Sequence, residues 1–337
     1  MSKVGVVGAG SWGTALALVL EQNGHQVTLW SSRDSKAEEL NRLRENRDKL
    51  PGVKLPEGIE ITADIEAAVK GKELVVLGVP SLYIRSTAAK MAPYVEEGQI
   101  IVNVSKGIED GSLYTMTEVI QDEIPSADVA VLSGPSHAEE VSRHIPTTVV
   151  AGARNRKTAE KIQNIFMNET FRVYTSPDMQ GIEVGGALKN VIALAAGVCD
   201  GLGFGDNTKA ALITRGIVEM SRLGIAMGGY QETFSGLAGM GDLIVTCASK
   251  HSRNRKAGFL IGQGYSMQEA MDEVNMVVEG VHSAKAALKL ADKFHVHMPI
   301  IEQVNAVLFD GKTATEAVRD LMIRGGKTES PLLPWDK

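Results

Sequence analysis

The chain has 337 residues, of which 44% are hydrophobic and 23% charged, and its formal net charge is −6 at pH 7. This length exceeds what one hydrophobic core usually serves, so we expect a globular protein of two domains. The negative charge argues against nucleic acid and acidic membranes as general partners.

The first half of the chain alternates short apolar runs with helical patterns. Five runs rich in Val, Ile and Leu predict strands at residues 3–7, 26–30, 73–79, 99–104 and 128–132. Helical patterns lie between them, at residues 11–22, 63–69 and 82–94. Strands that are apolar at consecutive positions are typical of a parallel sheet covered on both faces. We therefore predict an α/β fold with an N-terminal, doubly wound sheet of the Rossmann type over residues 1–177.

From about Ser176 onward the strand patterns fade. Long helical patterns follow at residues 178–198, 207–227, 280–294 and 300–309. They predict an all-helical second domain over residues 178–329, and residues 330–337, which contain two prolines, are expected to form a loosely held tail.

Several features bear on the cellular location. The first residues predict a strand and lack the pattern of a signal peptide, and no apolar run is expected to span a bilayer. Two cysteines in apolar surroundings, Cys199 and Cys247, indicate buried thiols in a reducing compartment. The seven histidines lack the spacing of a metal site. We predict a cytoplasmic protein without a metal ion or an integral membrane segment.

A glycine-rich sequence, GAGSWG at residues 8–13, joins the first predicted strand to the first predicted helix. In a dinucleotide-binding turn of this kind, Gly8 permits the tight turn, Gly10 lets a pyrophosphate approach the backbone, and Gly13 brings the helix against the strand. Free amides at the helix start then face the phosphates. A purely steric glycine turn is the alternative, but the flanking strand and helix favour nucleotide binding.

The end of the second predicted strand bears on the choice of cofactor. Sites for NAD usually place an acidic residue there, which binds the ribose 2′-hydroxyl, whereas this chain reads Ser31-Ser32-Arg33-Asp34. Small hydroxyls beside an arginine suit a 2′-phosphate, because Arg33 can form a charge-assisted fork with it. The sequence therefore favours NADP over NAD. In the alternative, Arg33 is a solvated loop residue and Asp34 binds the ribose.

Three later strands are predicted to end in polar loops, and ligands of open α/β sheets lie beyond the carboxyl ends of strands. The first loop, Val79-Pro80-Ser81, equally fits a rigid turn with a helix cap. The second places Lys106 beside a glycine, where it can reach a carbonyl or phosphate, although an isolated lysine of this kind is usually a surface residue. The third, LSGPSHA at residues 132–138, offers hydroxyls and amides to an oxygen-rich ligand. We expect the three loops to surround one crevice.

In the second half, Lys189 lies among small and apolar residues within a long predicted helix. Burial lowers the pKa of a lysine toward neutrality, where the amine can exchange a proton with a substrate oxygen. A lysine that reaches solvent from the edge of a helix is the alternative.

Three further segments could serve Lys189 and a substrate. Asp242, at the end of a glycine-rich turn, is predicted to hold Lys189 or to accept a substrate hydroxyl, although a simple turn aspartate also fits. The sequence HSRN at residues 251–254 begins a helix and suits a phosphate, with a solvated basic helix start as the alternative. Glu279 precedes another predicted helix and fits a cap equally well.

These motifs resemble those of the bacterial NAD(P)+-dependent glycerol-3-phosphate dehydrogenase family. The resemblance extends to about Gly326 and rests on ordered segments: GAGSWGTALA at 8–17, VSKGIE at 104–109, LSGPSHAEEV at 132–141, GGALKN at 185–190, GDNTKAALITRG at 205–216, AGMGDLIVTC at 238–247, HSRN at 251–254 and VVEG at 277–280. It implies a Rossmann domain followed by a helical substrate domain, usually in a homodimer. It also implies reversible, NAD(P)H-dependent reduction of dihydroxyacetone phosphate to sn-glycerol 3-phosphate, which supplies glycerophospholipid synthesis.

The resemblance also assigns residues to roles. It implies Lys189 as the proton-transfer residue and Lys106 as a contact of both cofactor and substrate. Ser32 departs from relatives, which often have a larger polar residue there, so Arg33 must contribute more to binding a 2′-phosphate. The matching substrate positions are Lys106, Gly134, Ser136, Lys189, Asp242, Ser252, Arg253 and Asn254. The matching cofactor positions, besides Gly8, Gly10 and Gly13, are Ser11, Trp12, Ser32, Arg33, Lys106, Ala138, Arg253, Val277 and Glu279.

Two other functions fit part of the pattern. One is a related dehydrogenase that acts on a hydroxy acid, since several substrate classes share the two-domain plan. The other is a non-catalytic nucleotide sensor, which would have no need of Lys189, Asp242 and the HSRN segment.

Overall fold

The computed structural model describes residues 1–326 and 328–329, so the predicted tail at 330–337 lies outside the described residues. An eight-stranded sheet has the order β3-β2-β1-β4-β5-β6-β7-β8. Neighbouring strands are parallel except for β6 and β7, which are antiparallel. The strands are β1 Lys3–Val7, β2 Gln26–Trp30, β3 Ile59–Thr62, β4 Leu74–Leu77, β5 Ile100–Asn103, β6 Asp128–Ser133, β7 Thr147–Ala153 and β8 Phe171–Ser176.

The five predicted strands are confirmed as β1, β2, β4, β5 and β6, and three strands were missed. The confirmed strands are buried over nearly their whole length, as expected for the centre of a parallel sheet. Two of the missed strands, β3 and β8, lie at the edges of the sheet and alternate buried with exposed residues. Polar residues on the exposed face of an edge strand interrupt the continuous apolar run by which a central strand is recognised.

Helices cover both faces of the sheet and bury a separate core on each. In β4, Leu74 and Val76 join one core, while Val75 and Leu77 join the other, because successive side chains of a strand point to opposite faces. The predicted helix at 82–94 is divided into the 3₁₀ turn Ser81–Tyr83, α4 and the 3₁₀ turn Ala92–Tyr94. The α-helices here are α1 Ser11–Gln22, α2 Asp34–Leu43, α3 Ile65–Val69, α4 Ile84–Met91, α5 Met116–Glu123, α6 Ala138–Val141 and α7 Arg156–Phe166.

The second half is helical, as predicted, and contains no strand between residue 177 and the last described position. A π-helical turn, Leu237–Gly241, directly precedes α11. Both cysteines, Cys199 and Cys247, are buried here as free thiols. The helices are α8 Met179–Gly201, α9 Asp206–Ala226, α10 Gln231–Ser235, α11 Asp242–Ala248, α12 Arg253–Gly262, α13 Met267–Val274, α14 Glu279–Lys293, α15 Pro299–Phe309 and α16 Ala314–Met322.

Helix α8 forms the centre of the helical half and is in unusually close contact with α12. A Cβ atom on Gly197 would lie 2.0 Å from the carbonyl oxygen of Arg255, and one on Gly258 would lie 2.0 Å from that of Leu194. The two helices therefore touch backbone to backbone. This contact fixes the start of α12 relative to the middle of α8.

By length and composition, α8 is the one described helix that would be able to cross a membrane, with a mean hydropathy of 1.5 over its most apolar window. An apolar helix of this length was not predicted from the sequence. However, 94% of the window is buried inside the protein. The apolar surface of α8 is covered by neighbouring helices, as in the core helix of a folded domain.

Candidate active site

The glycine-rich turn between β1 and α1 has the geometry of a dinucleotide cradle. Gly8 has φ +127°, a conformation that side chains disfavour, and a Cβ on Gly13 would lie 1.9 Å from the carbonyl oxygen of Gly8. A Cβ on Gly10 would meet no atom within 4 Å. The backbone at Gly10 is therefore open to an approaching phosphate, while Gly13 seats the helix on the strand.

A loop from elsewhere in the chain covers part of this turn. The Nδ2 atom of Asn46, in the segment between α2 and β3, donates to the carbonyl oxygen of Ala9 at 2.9 Å and to Oγ1 of Thr14 at 3.0 Å. The hydroxyl of Ser11, predicted to contact the cofactor, donates to the carbonyl oxygen of Lys49 at 2.7 Å. This covering segment was not predicted, because it lacks helical or strand periodicity.

The other predicted cofactor residues of the first half lie at the same edge of the sheet. Trp12 is half-buried at the start of α1, with its ring 6.5 Å from that of Phe171. Ser32 and Arg33 are exposed between β2 and α2, and Asp34 is the first residue of α2. Both exposed side chains are accessible to an incoming ligand.

Lys189, Asp242 and Lys106 form one ionic cluster between the sheet and the helices. Nζ of Lys189 lies 2.5 Å from Oδ1 of Asp242, and Nζ of Lys106 lies 2.5 Å from Oδ2 of the same carboxylate. Asp242 is 1% exposed and Lys189 is 7% exposed. The predicted contact between Lys189 and Asp242 is therefore present, whereas the salt bridge between Lys106 and Asp242 was not predicted.

Small residues of α8 allow the cluster to assemble. A Cβ on Gly185 would lie 2.8 Å from the carbonyl oxygen of Ala238, so the turn before Asp242 packs directly on the helix. A Cβ on Gly186 would lie 3.3 Å from Cγ of Lys106, so the stem of that lysine crosses the same surface. Nζ of Lys106 also donates to the carbonyl oxygen of Gly134 at 3.0 Å, which ties the cluster to the loop after β6.

The electrostatics of the cluster favour proton exchange near neutral pH. Burial lowers the pKa of Lys189 to about 8, and the charge of Lys106 contributes in the same direction, while Asp242 opposes the fall. Burial acts to raise the pKa of Asp242, but the two ammonium groups outweigh it, and the pKa is lowered overall. With both lysines protonated, the three groups carry one net positive charge, which suits an anionic substrate.

A further hydrogen bond orients the Lys189 amine. Nζ donates to Oγ1 of Thr246 at 2.8 Å, and that hydroxyl donates to the backbone carbonyl oxygen of Asp242 at 2.6 Å. Thr246 lies one helical turn after Asp242 on α11, so both groups face α8. The sequence analysis missed Thr246, although its spacing of four residues from Asp242 was visible.

The HSRN segment begins α12 as predicted, but its side chains serve different purposes. The hydroxyl of Ser252 accepts the backbone N–H of Arg255 at 3.2 Å and caps the helix. Asn254 is buried, donating to Oδ1 of Asn190 at 2.9 Å and accepting the backbone N–H of Gly280 at 2.8 Å. Arg253 is exposed, with Nη1 3.1 Å from the carbonyl oxygen of Val277. Of the three, Arg253 extends most freely toward a ligand.

The loops after β4 and β6 complete the crevice. The carboxylate of Glu279, at the start of α14, accepts the backbone N–H of Ser81 at 3.1 Å and also the Ser81 hydroxyl. The Ser81 loop thus bonds to the helical half rather than simply capping a helix. Gly134 has φ +139°, and the Ser136 hydroxyl donates to its carbonyl oxygen at 2.8 Å. Ala138 is buried as the first residue of α6.

A buried carboxyl group behind the cluster was also missed. Oε1 of Glu183, on α8, accepts Nδ2 of Asn103 at 3.1 Å and the backbone N–H of Thr117 at 2.9 Å. Burial raises the pKa of Glu183 to about 7. Asn103 is the last residue of β5, three positions before Lys106, so Glu183 holds the base of the Lys106 loop.

Two family models match almost the whole chain. The N-terminal model of NAD-dependent glycerol-3-phosphate dehydrogenase matches residues 3–159, and the C-terminal model matches residues 178–319. The chain belongs to the NAD-dependent glycerol-3-phosphate dehydrogenase family. Membership confirms the resemblance inferred from the motifs and makes the chain an oxidoreductase with a Rossmann fold that binds NAD or NADP.

Close relatives of this glycerol-3-phosphate dehydrogenase family member span its full length. A glycerol-3-phosphate dehydrogenase [NAD(P)+] of Agathobacter rectalis is 65% identical over 335 residues, which cover 99% of this chain and 100% of the relative. One of Fusobacterium nucleatum is 60% identical, over 98% of this chain and 99% of the relative. The crystal structure of glycerol-3-phosphate dehydrogenase from Coxiella burnetii matches with a TM-score of 0.92 and 37% identity, over 96% of this chain and 99% of that one.

Proposed function

We propose that this family member catalyses the reversible reduction of dihydroxyacetone phosphate to sn-glycerol 3-phosphate, a precursor of glycerophospholipids, with NADPH preferred and NADH also accepted. The observation that carries the proposal is the buried cluster of Lys189, Asp242 and Lys106 beside the open glycine turn. A nucleotide sensor would not need a desolvated amine with a pKa of about 8 at this position.

Lys189 is the proton donor for reduction. Bound reduced nicotinamide supplies the hydride that reaches the ketone carbon of the substrate. As that carbon is reduced, its oxygen gains negative charge, and the ammonium of Lys189 donates a proton to give the alcohol. Lys106 stabilises the developing charge on the oxygen, and Asp242 keeps both amines in place. In the reverse direction the neutral amine of Lys189 accepts the hydroxyl proton.

The phosphate of the substrate binds at the start of α12. Arg253 contributes a guanidinium that is free to form charge-assisted hydrogen bonds, and the free amides of the first helical turn add to them. Ser252 and Asn254 fix this terminus, since both are engaged with the surrounding backbone and side chains. Binding of the remote phosphate orients the ketone toward Lys189.

The preference for NADPH rests on the residues after β2. Arg33 is exposed where the adenosine ribose of a dinucleotide lies in this fold, and the neighbouring Ser32 is small enough to leave room for a 2′-phosphate. We also expect the cofactor to contact the glycine turn and, beyond it, Trp12, Ala138, Val277 and Glu279. A homodimer in the cytoplasm completes the proposal, supported by the family resemblance and the two buried free thiols.

Initial rates of NADPH oxidation test this function. We expect oxidation to require dihydroxyacetone phosphate, to be slower with NADH at equal concentration, and to be negligible with a 2-oxo acid in place of the triose phosphate. Oxidation with the 2-oxo acid but not with dihydroxyacetone phosphate would indicate a hydroxy-acid dehydrogenase. Binding of NADPH without turnover of either substrate would indicate a sensor. Light scattering of the purified protein tests the dimer.

A further inference from the structure

The imidazole of His137 has no role in the fold that the surrounding contacts explain. His137 lies between Ser136 and Ala138, at the residue that precedes α6. Its backbone carbonyl oxygen accepts the N–H groups of Glu140 and Val141 at 3.0 and 3.1 Å, while its side chain makes no capping bond. Residues preferred at this position cap with a short hydroxyl, amide or carboxylate side chain. The helix start therefore uses the backbone of residue 137 and does not need an imidazole.

One ring nitrogen of His137 is buried without a partner. Nε2 is shielded from solvent, and no group in the described part of the chain forms a hydrogen bond with it. The Oγ atom of Ser133, the last residue of β6, is in the same condition. Buried polar atoms in folded proteins are nearly always hydrogen-bonded, because an unpaired one loses its bond to water without compensation. His137 lies in a loop that follows the carboxyl end of a strand, where ligands of this fold bind, so a ligand is the partner that its unpaired nitrogen would meet.

The ring of His137 is close to the start of α12. The ring centroids of His137 and His251 are 5.9 Å apart, and His251 immediately precedes Ser252 and Arg253 at the start of α12. The positive charges of Lys189 and Lys106 also lower the pKa of the imidazole. His137 therefore lies beside the helix terminus that is proposed to bind the phosphate, within the electrostatic influence of the two lysines.

The charges around His137 identify the ligand group that it suits. Burial lowers its pKa, and the positive charges of Lys189 and Lys106 lower it further, while Glu139 and Glu140 on α6 oppose them. The ring is consequently neutral at physiological pH, with one N–H to donate. Besides the ketone oxygen, which Lys189 contacts, a triose phosphate offers a hydroxyl and a phosphate as acceptors. The contact with His251, next to Ser252 and Arg253, favours the phosphate.

We propose that His137 is a further substrate-binding residue, which donates a hydrogen bond from Nε2 to a phosphate oxygen of the bound triose phosphate. This inference rests on the proposed function. It adds a donor from the Rossmann half to a phosphate site otherwise formed by α12. The phosphate is then held from both halves of the crevice, which favours a phosphorylated substrate over a neutral triose.

Substitutions at His137 test this role. We expect His137→Phe, which keeps the ring and removes the donor, to raise the KM for dihydroxyacetone phosphate about tenfold or more, as for loss of a hydrogen bond to a charged group. The dissociation constant of NADPH should change less than twofold. In His137→Gln the side-chain amide reaches as far as Nε2, so the KM should return to within about threefold of the wild-type value. His144→Asn, at an exposed position after α6, is the matched control and should leave all constants unchanged.

Three results would overturn the role. The first is a KM of His137→Phe within twofold of the wild-type value. The second is an equal rise in the Phe and Gln variants, since that indicates a packing effect rather than a lost donor. If the Phe variant does not fold, His137→Asn replaces it, because the Asn amide is too short to reach the position of Nε2. Equal KM values for the Asn and Gln variants would be the third such result. A wild-type protein that does not reduce dihydroxyacetone phosphate at all would refute the proposed function instead.

Discussion

Replacing Asp242 by asparagine removes one negative charge from between two lysines and keeps the shape of the side chain. Nζ of Lys189 and Nζ of Lys106 each lie 2.5 Å from one carboxylate oxygen in the wild-type protein. At an effective dielectric constant of about 20, opposite charges about 4 Å apart attract by about 4 kcal/mol. Since one pH unit corresponds to about 1.4 kcal/mol, loss of this attraction lowers the pKa of Lys189 by up to about three units.

The effect on the rate follows from the sign of this shift. Reduction requires protonated Lys189, so the rate is full below its pKa of about 8 and falls as the pH rises through that value. We take a fall of about two units in the pKa of Lys189, within the limit of about three given above. This fall reduces the protonated fraction of Lys189 at pH 7.5 from roughly 75% to roughly 3%. We therefore expect Asp242→Asn to lose about 25-fold in kcat/KM at this pH and to reach its alkaline limb about two pH units earlier.

The measurement is a profile of kcat/KM for dihydroxyacetone phosphate against pH at saturating NADPH. The wild-type alkaline limb follows the Lys189 pKa of about 8 and is separate from titration of the substrate phosphate, whose second pKa is about 6. In the variant the two titrations overlap, so its limb is read as the ratio of its kcat/KM to that of the control variant at each pH. Asp200→Asn is the control, because Asp200 pairs with Lys209 and Arg255 at 2.7 Å each and does not contact Lys189. An Asp242→Asn variant that is folded, binds NADPH and keeps the wild-type alkaline limb would refute the assignment of that limb to Lys189.

Three further substitutions test other parts of the site. Lys189→Ala should lower kcat for reduction at least about 100-fold with unchanged NADPH affinity, and near-normal turnover would exclude it as the proton donor. Arg33→Ala should raise the KM for NADPH about tenfold and leave that for NADH unchanged, whereas exposed Arg42→Ala should change neither; equal effects on both cofactors would contradict a 2′-phosphate contact. Glu183→Gln should alter the pH dependence of stability. The folded-state pKa of Glu183 is about 7, above its ordinary 4.5, so the folded protein keeps this proton to a higher pH than the unfolded chain does. As the pH rises from 4.5 to 7, the wild-type free energy of unfolding should therefore fall by about 3 kcal/mol relative to that of the variant. Parallel denaturation curves of both proteins across this range would contradict the burial argument.

The parts of the site that follow from local sequence were predictable. Each of the three glycines of the first turn has the geometry that was predicted for it. The need for a glycine at each position comes from neighbouring residues of the same strand and helix, which a local sequence pattern reveals. Lys189 was recognisable because a lysine in a continuous small and apolar helix has little water to reach. The contact between Lys189 and Asp242 was one of three interpretations open at Asp242, and the structure shows that contact at 2.5 Å.

The parts that depend on distant segments were not predictable from one sequence. Lys106 contacts Asp242, which lies 136 residues later in the sequence, and no local sequence pattern indicates which loop will approach which helix. The Ser11 hydroxyl is engaged by the backbone at Lys49. This hydrogen bond depends on the segment between α2 and β3, which has no helical or strand periodicity and was not predicted to approach the turn. Edge strand β8 was missed because Arg172 and Tyr174 point to solvent and interrupt the apolar run.

In the proposed site, the backbone contact between α8 and α12 would set the length of substrate that the enzyme accepts. Lys189 lies on one helix and the proposed phosphate site begins the other, and neither Gly197 nor Gly258 has room for a methyl group. The interval between proton donor and phosphate is thus rigid. Redesign for a longer or shorter phosphorylated ketone would have to change side chains such as Arg253, since the spacing of the two helices does not adapt through small substitutions.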